Sequence, residues 1–324
     1  LYSGVDATPT NFASWAIGTD RGFGGSRAWE GYIAEVIVYD AALSDFDRKG
    51  VEVYLDEKWG LGLGLRSSYG GGSFNDDPAS LGLLTTETTT MALRLDAARL
   101  RSAGELGTWN DRSGNGHDAT GIGDPAVVLD ELNALPVVEF DGNDYFVIED
   151  PYTAGTVFAV AQYNTTNGNF TGHDGLYGAT GGHASNIYFS GSQNSANWNT
   201  ESAVQMRGAK YDNGIGPGNS VAALGQWNRF SGVDHTPLSF AKHNIGADRS
   251  DQFGGSRAWD GDIAEIIVYE EPLNTFDRKG VEVYLDEKWG LGLDLRTTYG
   301  EASFNADIRA LGLELPPGTL MIVR

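Results

Sequence analysis

The sequence repeats itself at long range. The block FDRKGVEVYLDEKWGLGL at 46–63 returns without a change at 276–293, a shift of 230 residues (276 less 46). At the same shift, GYIAEVIVY at 31–39 returns as GDIAEIIVY at 261–269, with two changes. A period this long exceeds the 20 to 50 residues of a solenoid unit, so each copy is a whole domain and the chain is a tandem array.

The repeat predicts the domain bounds. Residues 1–66 are the C-terminal part of one copy, and 67–91 are a linker that contains the threonine-rich run TTETTT. Residues 92–293 form a complete copy. Residues 294–324, with LPPG and a final MIVR that answers MALR at 91–94, are a linker and the start of the next copy. Threonine-rich and proline-rich stretches favour extended chain, which suits linkers.

Composition limits the partners and the fold class that this chain can have. The net charge is −22 and the isoelectric point is about 4.4, which argues against binding to nucleic acid or to an anionic membrane. The chain has no cysteine, so disulfides and thiolate metal sites are excluded. There is no charged leader followed by an apolar run, so we expect targeting signals outside this stretch of sequence. The 45 glycines and 11% aromatic residues favour an all-β protein with many turns.

Hydrophobic patterns place strands and one helix in each copy. The run TVFAVAQY at 156–163 is apolar on both faces, as expected of a central strand. DGND at 141–144 predicts a tight hairpin turn, because small polar residues and glycine accept positive φ. After Asn274, a good N-cap, one stripe of apolar residues predicts a helix that ends at Gly290. The stripe consists of Val281, Tyr284, Leu285 and Trp289.

These elements resemble a known family. The resemblance rests on the motifs LDA at 95–97, WNDRSGNGHDA at 109–119, VVEFDG at 137–142, and the strand at 261–269 with the helix ending YLDEKWGL at 284–291. In order and spacing they resemble bacterial laminin-G-like domains of the concanavalin A-like lectin/glucanase superfamily. The resemblance implies an all-β jelly-roll sandwich of two antiparallel sheets, with one short C-terminal helix per repeat. It implies ligands at the concave face or the edge loops.

The first copy departs from this pattern. Residues 1–66 hold only the last strands and the helix, so they cannot close a sandwich core. Exposed sheet edges need a partner. The missing strands lie upstream in a longer chain or come from a neighbouring molecule.

Two acidic segments are candidate calcium sites, because Ca²⁺ prefers carboxylate and carbonyl oxygens. The first lies in the turn-rich loop after Trp109, and the second lies in the turn at 141–144. The candidate ligands are Asp111, Asn115 and Asp118 in the first segment, and Asp141, Asn143 and Asp144 in the second. Isolated histidines make a transition-metal site improbable.

Two further segments are candidates for a glycan site and for a catalytic site. The loop-rich stretch at 164–200 offers Tyr177, Tyr188 and Trp198 among planar amides, the residue types that contact sugar rings and hydroxyls. Glu139 and Asp141 have the spacing of the carboxylates of retaining glucanases. The glycine turn that follows favours a structural role for them, and the protein is predicted not to be an enzyme.

The sequence therefore predicts a non-catalytic, secreted or cell-surface tandem-repeat protein for adhesion or for filament or matrix assembly, with glycans among its expected ligands. Its partners would be neighbouring repeats or subunits of the same protein, and surface or matrix glycans. The alternative is a carbohydrate-binding module of a larger polysaccharide-degrading enzyme, and a third reading is a glycosidase.

Overall fold

The computed structural model divides into two units, Leu1–Thr85 and Thr86–Arg324. It describes residues 1–5, 33, 35–39, 41–59, 61–76, 81, 90–165, 168–179, 187–191, 209–217, 224–237, 239–247, 257–300 and 303–313. No helix among these residues is long and apolar enough to cross a membrane.

The second unit consists mainly of strands. In chain order they are β1 (Met91–Asp96), β2 (Gly104–Glu105), β3 (Thr108–Trp109), β4 (Ala119–Ile122), β5 (Ala126–Leu132), β6 (Leu135–Asp141), β7 (Tyr145–Ile148), β8 (Tyr152–Thr153), β9 (Thr156–Tyr163), β10 (Gly175–Ala179), β11 (Ile187–Ser190), β12 (Ala209–Asp212), β13 (Trp227–Val233), β14 (Ser239–Phe240), β15 (His243–Ile245) and β16 (Asp260–Tyr269). The first unit contributes helices α1 (Asp45–Lys58) and α2 (Leu65–Tyr69), and the second contributes α3 (Thr275–Trp289), α4 (Leu295–Tyr299) and a 3-10 turn at Ala97–Arg99.

Two antiparallel sheets form a sandwich. Sheet 1 has the order β12-β13-β9-β16-β6-β5-β2, with β1 also paired to β16, and sheet 2 has the order β11-β10-β15-β7-β4-β3. Ring contacts join the sheets: Phe140 meets Phe146 at 5.8 Å, and Phe189 meets Phe230 at 6.0 Å, between ring centroids. The prediction of an all-β sandwich is confirmed at this level for the second unit.

Strand β9 lies at the centre of sheet 1, as its apolar pattern predicted. It pairs with β13 on one side and β16 on the other, and every residue except Gln162 is buried. Because both of its faces are covered, the run has no polar alternation until its end.

The turn at 141–144 connects two sheets. Gly142 has a φ of +89°, as the sequence indicated, but β6 belongs to sheet 1 and β7 to sheet 2. The expected hairpin is therefore wrong. The chain instead crosses the core here, so that Phe140 and Phe146 meet across the interior.

Helix α3 lies on the outer face of sheet 1. The side chain of Asn274 accepts a hydrogen bond from the Asp277 N–H at 2.9 Å, and Gly290 ends the helix with a φ of +62°. The predicted stripe is buried. Each copy has a second, five-residue helix that was not predicted, α2 in the first and α4 in the second.

A buried network of charges joins β1, β16 and α3. The Glu265 carboxylate accepts hydrogen bonds from Arg94 Nε at 3.0 Å, Lys288 Nζ at 2.7 Å and Trp289 Nε1 at 2.8 Å. Lys288 also donates to Asp96 at 2.7 Å. The Lys288 and Glu265 side chains are fully buried, so the network is stable only when every charge in it is paired.

The first unit reproduces part of this network. Glu35, the counterpart of Glu265, accepts from Lys58 at 3.1 Å and from Trp59 Nε1 at 2.7 Å. Here the Lys58 and Glu35 side chains are 19% and 21% exposed. The corresponding residues of the first unit thus make the same contact with the helix, with more exposure to solvent.

The predicted linkers also contain packed segments. In the first unit, Tyr69 donates to the Glu52 carboxylate and Asn75 donates to Asp47 at 2.7 Å. In the second unit, Leu295, Phe304, Leu311 and Leu313 are buried. The helical hairpin after each long helix therefore belongs to its unit.

The two copies allow a matched test of the charge network. We expect Glu265→Ala to destabilise the second unit by about 3 to 5 kcal/mol, because Arg94 and Lys288 would remain buried without their carboxylate. Glu35→Ala should cost less than about 1 kcal/mol, since its partners are partly solvated. Amide exchange measured at increasing urea concentration reports the stability of each unit. Exchange along β16 measures the effect of Glu265→Ala, and exchange along α1 measures the effect of Glu35→Ala. Equal effects of the two substitutions would contradict the role assigned to burial.

Candidate functional site

Four polar or aromatic side chains form a row across sheet 1. Trp227 on β13 is paired with Gln162 on β9, Gln162 is paired with Asp262 on β16, and Asp262 is paired with Glu139 on β6. Cross-strand partners share a face of the sheet. Neighbouring strands lie about 4.8 Å apart, so the four side chains extend over about 14 Å.

This row lies on the outer face of sheet 1. A bulge between Ile263 and Glu265 keeps Asp262 on the same face as Glu265, which contacts α3. Helix α3 covers the end of the face that holds Glu265. At the other end Glu139 is exposed, while Trp227, Gln162 and Asp262 are half-buried. The row is therefore a shallow, partly desolvated surface beside the helix.

Carboxylates crowd this surface. Asp260 is paired with Asp141 directly beside the Asp262–Glu139 pair. Burial, with the charges of Glu139, Glu131 and Asp260, raises the pKa of Asp262 to about 7. Like charges directly opposite each other destabilise a sheet, so their presence indicates a role other than stability. Near neutral pH, Asp262 can donate a hydrogen bond while Glu139 accepts one.

A second acidic group adjoins the row through Asp141. Carboxylate oxygens of Asp124, Asp141 and Asp144 lie within 4.8 Å of one another. Asp144 is buried and accepts from the Asp124 N–H at 2.9 Å and the Asp141 N–H at 3.2 Å. Burial raises the pKa of Asp144, and the neighbouring Asp141 charge adds to this. These three residues could hold a metal ion, which would relieve their repulsion.

The calcium prediction at 141–144 is partly supported. The structure brings Asp141 and Asp144 together, whereas Asn143 donates its backbone N–H to the Asp141 carboxylate at 3.1 Å. Asp124 was missed. It belongs to the turn between β4 and β5, and its proximity depends on a tertiary contact that sequence spacing does not report.

The calcium prediction at 111–118 stays a prediction, and the structure gives its residues a second role. The two Asp111 oxygens accept N–H groups of Arg94, Ser113 and His117, at 2.8 to 3.1 Å. Asp118 accepts from the Asp111 N–H at 2.8 Å, and the Asn115 amide donates to the Met91 carbonyl at 2.7 Å. Asp111 and Asn115 thus fasten the loop to β1, and the carboxylates of Asp111 and Asp118 accept hydrogen bonds from backbone N–H groups.

The predicted glycan residues do not form the observed row. The Tyr177 side chain is fully buried, and its hydroxyl contacts His243 Nδ1 at 2.9 Å. Burial lowers the pKa of His243 to about 3, so this pair is a neutral part of the core. Tyr177 therefore has no exposed ring for a sugar. The Tyr188 side chain and Trp198 lie outside the described residues, and a glycan contact there stays a prediction.

Sequence reasoning missed most of the row. Trp227, Gln162 and Asp262 come from three segments far apart in the chain. One signal was present: Asp262 is one of two changes between the otherwise matching strands at 31–39 and 261–269, where the first copy has Tyr32. This carboxylate is therefore not part of the sequence that the two copies share.

Comparison with known proteins gives matches only among solved structures. No protein-family model matches the chain, and no curated protein sequence does. Domain 4 of an extracellular GH43 arabinanase from Geobacillus stearothermophilus, in complex with arabinotriose, is 14% identical with a TM-score of 0.32, over 57% of this chain and 94% of that domain. Trypanosoma rangeli sialidase in complex with sialic acid is 13% identical with a TM-score of 0.37, over 61% of this chain. The match spans about a third of the sialidase chain (32%).

These matches correct one prediction. The two matching structures named above are a domain of an arabinanase and a sialidase, so the assignment as plainly not an enzyme is withdrawn. At this identity and coverage they assign no activity in its place. The adhesion and filament predictions stay predictions.

The carboxylate row predicts a pH-dependent stability. Because the folded-state pKa of Asp262 is raised from 3.8 to about 7, its favourable contribution is complete below pH 4 and is lost as the pH rises through 7. Asp262→Asn should therefore stabilise the protein by about 1 to 2 kcal/mol at pH 8.5, a figure reduced for the side chain's partial exposure. At pH 4 the two proteins should unfold at nearly the same urea concentration. A gain that is the same at both pH values would contradict the raised pKa.

Proposed function

We propose that this chain is a carbohydrate-binding β-sandwich module of an extracellular tandem-repeat protein, and that the row on sheet 1 holds the glycan. The observation that carries the proposal is the alignment of Trp227, Gln162, Asp262 and Glu139 on four adjacent strands. The sequence resemblance to laminin-G-like jelly rolls agrees with this use of a sheet face. The acidic, cysteine-free composition of the repeat agrees with an extracellular setting.

The residue types in the row suit a sugar. An indole ring packs against the C–H face of a pyranose or furanose, and a planar amide and carboxylates bond to its hydroxyls. The sheet fixes their spacing, since all four side chains project from paired strands. A half-buried Asp262 that keeps its proton near pH 7 adds a donor beside the acceptor Glu139.

Charge selects among glycans. Asp260, Asp262, Glu139 and Asp141 lie together, and the whole chain carries −22. An anionic polysaccharide would meet repulsion from this patch, whereas a neutral glycan would not. We therefore propose neutral oligosaccharides, with arabinotriose and soluble β-glucan as probes.

The glycan site can be tested by calorimetric titration. Glu139→Gln keeps the shape of an exposed side chain and should weaken binding of the best neutral probe about tenfold, because it removes a charged acceptor. Trp227→Ala should abolish measurable binding, since it removes the only aromatic face in the four-residue row. Release of reducing ends during the titration would add hydrolysis to binding.

Tyr2→Ala serves as the matched aromatic control, because Tyr2 is 93% exposed and lies in the other unit. Its binding should equal that of the unsubstituted protein. Unchanged affinity in both Glu139→Gln and Trp227→Ala would show that the row is not the glycan site.

For the cluster of Asp124, Asp141 and Asp144 we propose Ca²⁺, because hard carboxylate oxygens are its preferred ligands. Millimolar Ca²⁺ should raise the melting temperature by about 2 to 4 °C, and a chelator should reverse the shift. Asp124→Asn should abolish the response, whereas Asp150→Asn, at another exposed aspartate, should leave it intact. A chelator-insensitive melting temperature would argue against the metal.

A further inference from the structure

An amine and two carboxyl groups are in direct contact at the centre of the buried charge network. The Nζ atom of Lys288 lies 2.7 Å from Asp96 Oδ1 and 2.7 Å from Glu265 Oε2. The side chains of Lys288 and Glu265 are 0% exposed, and that of Asp96 is 1% exposed. Three separate elements, α3, β1 and β16, supply these groups. The fold therefore holds a nucleophile, an electrophile and a proton carrier together away from water.

We propose that Lys288 and Asp96 join in an amide cross-link after the second unit has folded. Nζ of Lys288 is the nucleophile, Cγ of Asp96 is the carbon that it attacks, and Glu265 carries the proton. A nitrogen that is hydrogen-bonded to a carboxyl oxygen lies close to the carboxyl carbon. The contact thus approaches the separation of about 3 to 3.5 Å from which such an attack begins.

The reaction is a condensation whose atoms balance without a further reagent. The bond that forms joins Nζ to Cγ, and the bond that breaks joins Cγ to Oδ2. Two of the three protons of the ammonium group leave with Oδ2 as water, and the third stays on the amide nitrogen. The positive charge of Lys288 and the negative charge of Asp96 cancel, and no atom is oxidised or reduced.

Glu265 is placed to move these protons. Its Oε2 accepts a hydrogen bond from Nζ, so it can take a proton from the ammonium group and expose the nitrogen lone pair. Glu265 and Asp96 also share Arg94 as a donor, at 3.0 Å and 3.5 Å, so both carboxyl groups flank the same two cations. The two carboxyl groups therefore lie within one network, through which the proton can pass to the departing oxygen.

The backbone of the 3-10 turn stabilises the intermediate of this reaction. Attack on Cγ places negative charge on Asp96 Oδ1, and this oxygen already accepts the Ala98 N–H at 3.0 Å. A fixed N–H donor aimed at the oxygen where charge develops lowers the barrier of an acyl transfer.

Burial favours the product. Before the reaction, the charges of Lys288 and Asp96 remain in a dry interior at a desolvation cost, whereas the amide is neutral. Groups held in such contact react as if one were present at about 10⁵ to 10⁸ M, which offsets the competition from water in solution. Arg94 and Glu265 remain paired afterwards, at 3.0 Å, so the product leaves no unpaired charge among these four side chains.

The cross-link would connect the first strand of the sandwich to the helix that follows its last strand. Asp96 and Lys288 are 192 residues apart in sequence. A covalent tie across so long a segment restricts the unfolded chain and thereby stabilises the folded unit.

The mass of the whole chain tests the proposal. Mass spectrometry of the denatured protein should give a value about 18 Da below that calculated from the sequence, which is the loss of one water. Tryptic digestion should yield LDAAR, residues 95–99, joined to GVEVYLDEKWGLGLDLR, residues 280–296. The first copy has WGLGLGLR at 59–66, so fragment spectra distinguish Lys288 from Lys58.

Variants assign the roles. Lys288→Arg should have the full calculated mass, because it lacks the amine. Glu265→Gln keeps the shape of the side chain but removes the proton carrier, and the fraction of cross-linked chains should fall at least about tenfold. Amide exchange along β16 shows whether each variant has folded. Lys58→Arg is the matched control, since Lys58 is the counterpart of Lys288 in the first copy, and it should retain the mass loss.

A folded, unsubstituted protein with the full calculated mass would overturn the proposal. A loss of water located within a single peptide would also overturn it, as would be the case for a cyclic imide at Asp141 and Gly142. Persistence of the mass loss in Lys288→Arg would show that another residue is the nucleophile. Equal cross-linking in a folded Glu265→Gln protein would contradict the role given to Glu265.

Discussion

The buried carboxylate of Glu265 is the contact on which the second unit depends. It accepts hydrogen bonds from β1 through Arg94 and from α3 through Lys288 and Trp289, so one side chain joins the first strand, the last strand and the helix of the domain. Buried charges are tolerated only with full pairing, so the arrangement admits one register of β1 on β16. That register in turn decides which part of sheet 1 lies under the helix and which part remains open to a ligand.

The two units show what the network contributes, because they share its sequence. With β1 in place, the strand at 265–269 is buried and paired. In the first unit, helix α1 still binds the carboxylate of Glu35, but Val36 and Val38, the counterparts of the interior residues Ile266 and Val268, are exposed. The strand-to-helix contact is therefore local and robust, whereas completion of the sheet depends on residues distant in sequence. The helix and the segment before it therefore form a unit of the repeat whose contacts do not need the rest of the sheet.

Local features of the fold could be predicted from the sequence. The helix at 275–289, its Asn274 cap and its Gly290 end follow from nearest-neighbour chemistry, and so does the fully apolar strand β9. The path of the chain after Asp141 could not, because a turn rich in glycine connects strands within a sheet or between sheets equally well. The prediction of the site failed for the same reason, because pairing between distant strands places Asp124, Gln162, Trp227 and Asp262. Tyr177 is aromatic and lies next to a loop in the sequence, yet its side chain belongs to the core.

The bulge between Ile263 and Glu265 has an evolutionary consequence. The extra residue sets the phase of the strand, so that acids at an odd separation project to the same side. Deleting a single codon here would turn Asp260 and Asp262 toward the interior and bring apolar side chains to the surface. The length of the strand is thus constrained, whereas outward-facing positions tolerate substitution. Within this strand the two copies differ only by substitution, and the tyrosine-to-aspartate exchange between positions 32 and 262 is one instance.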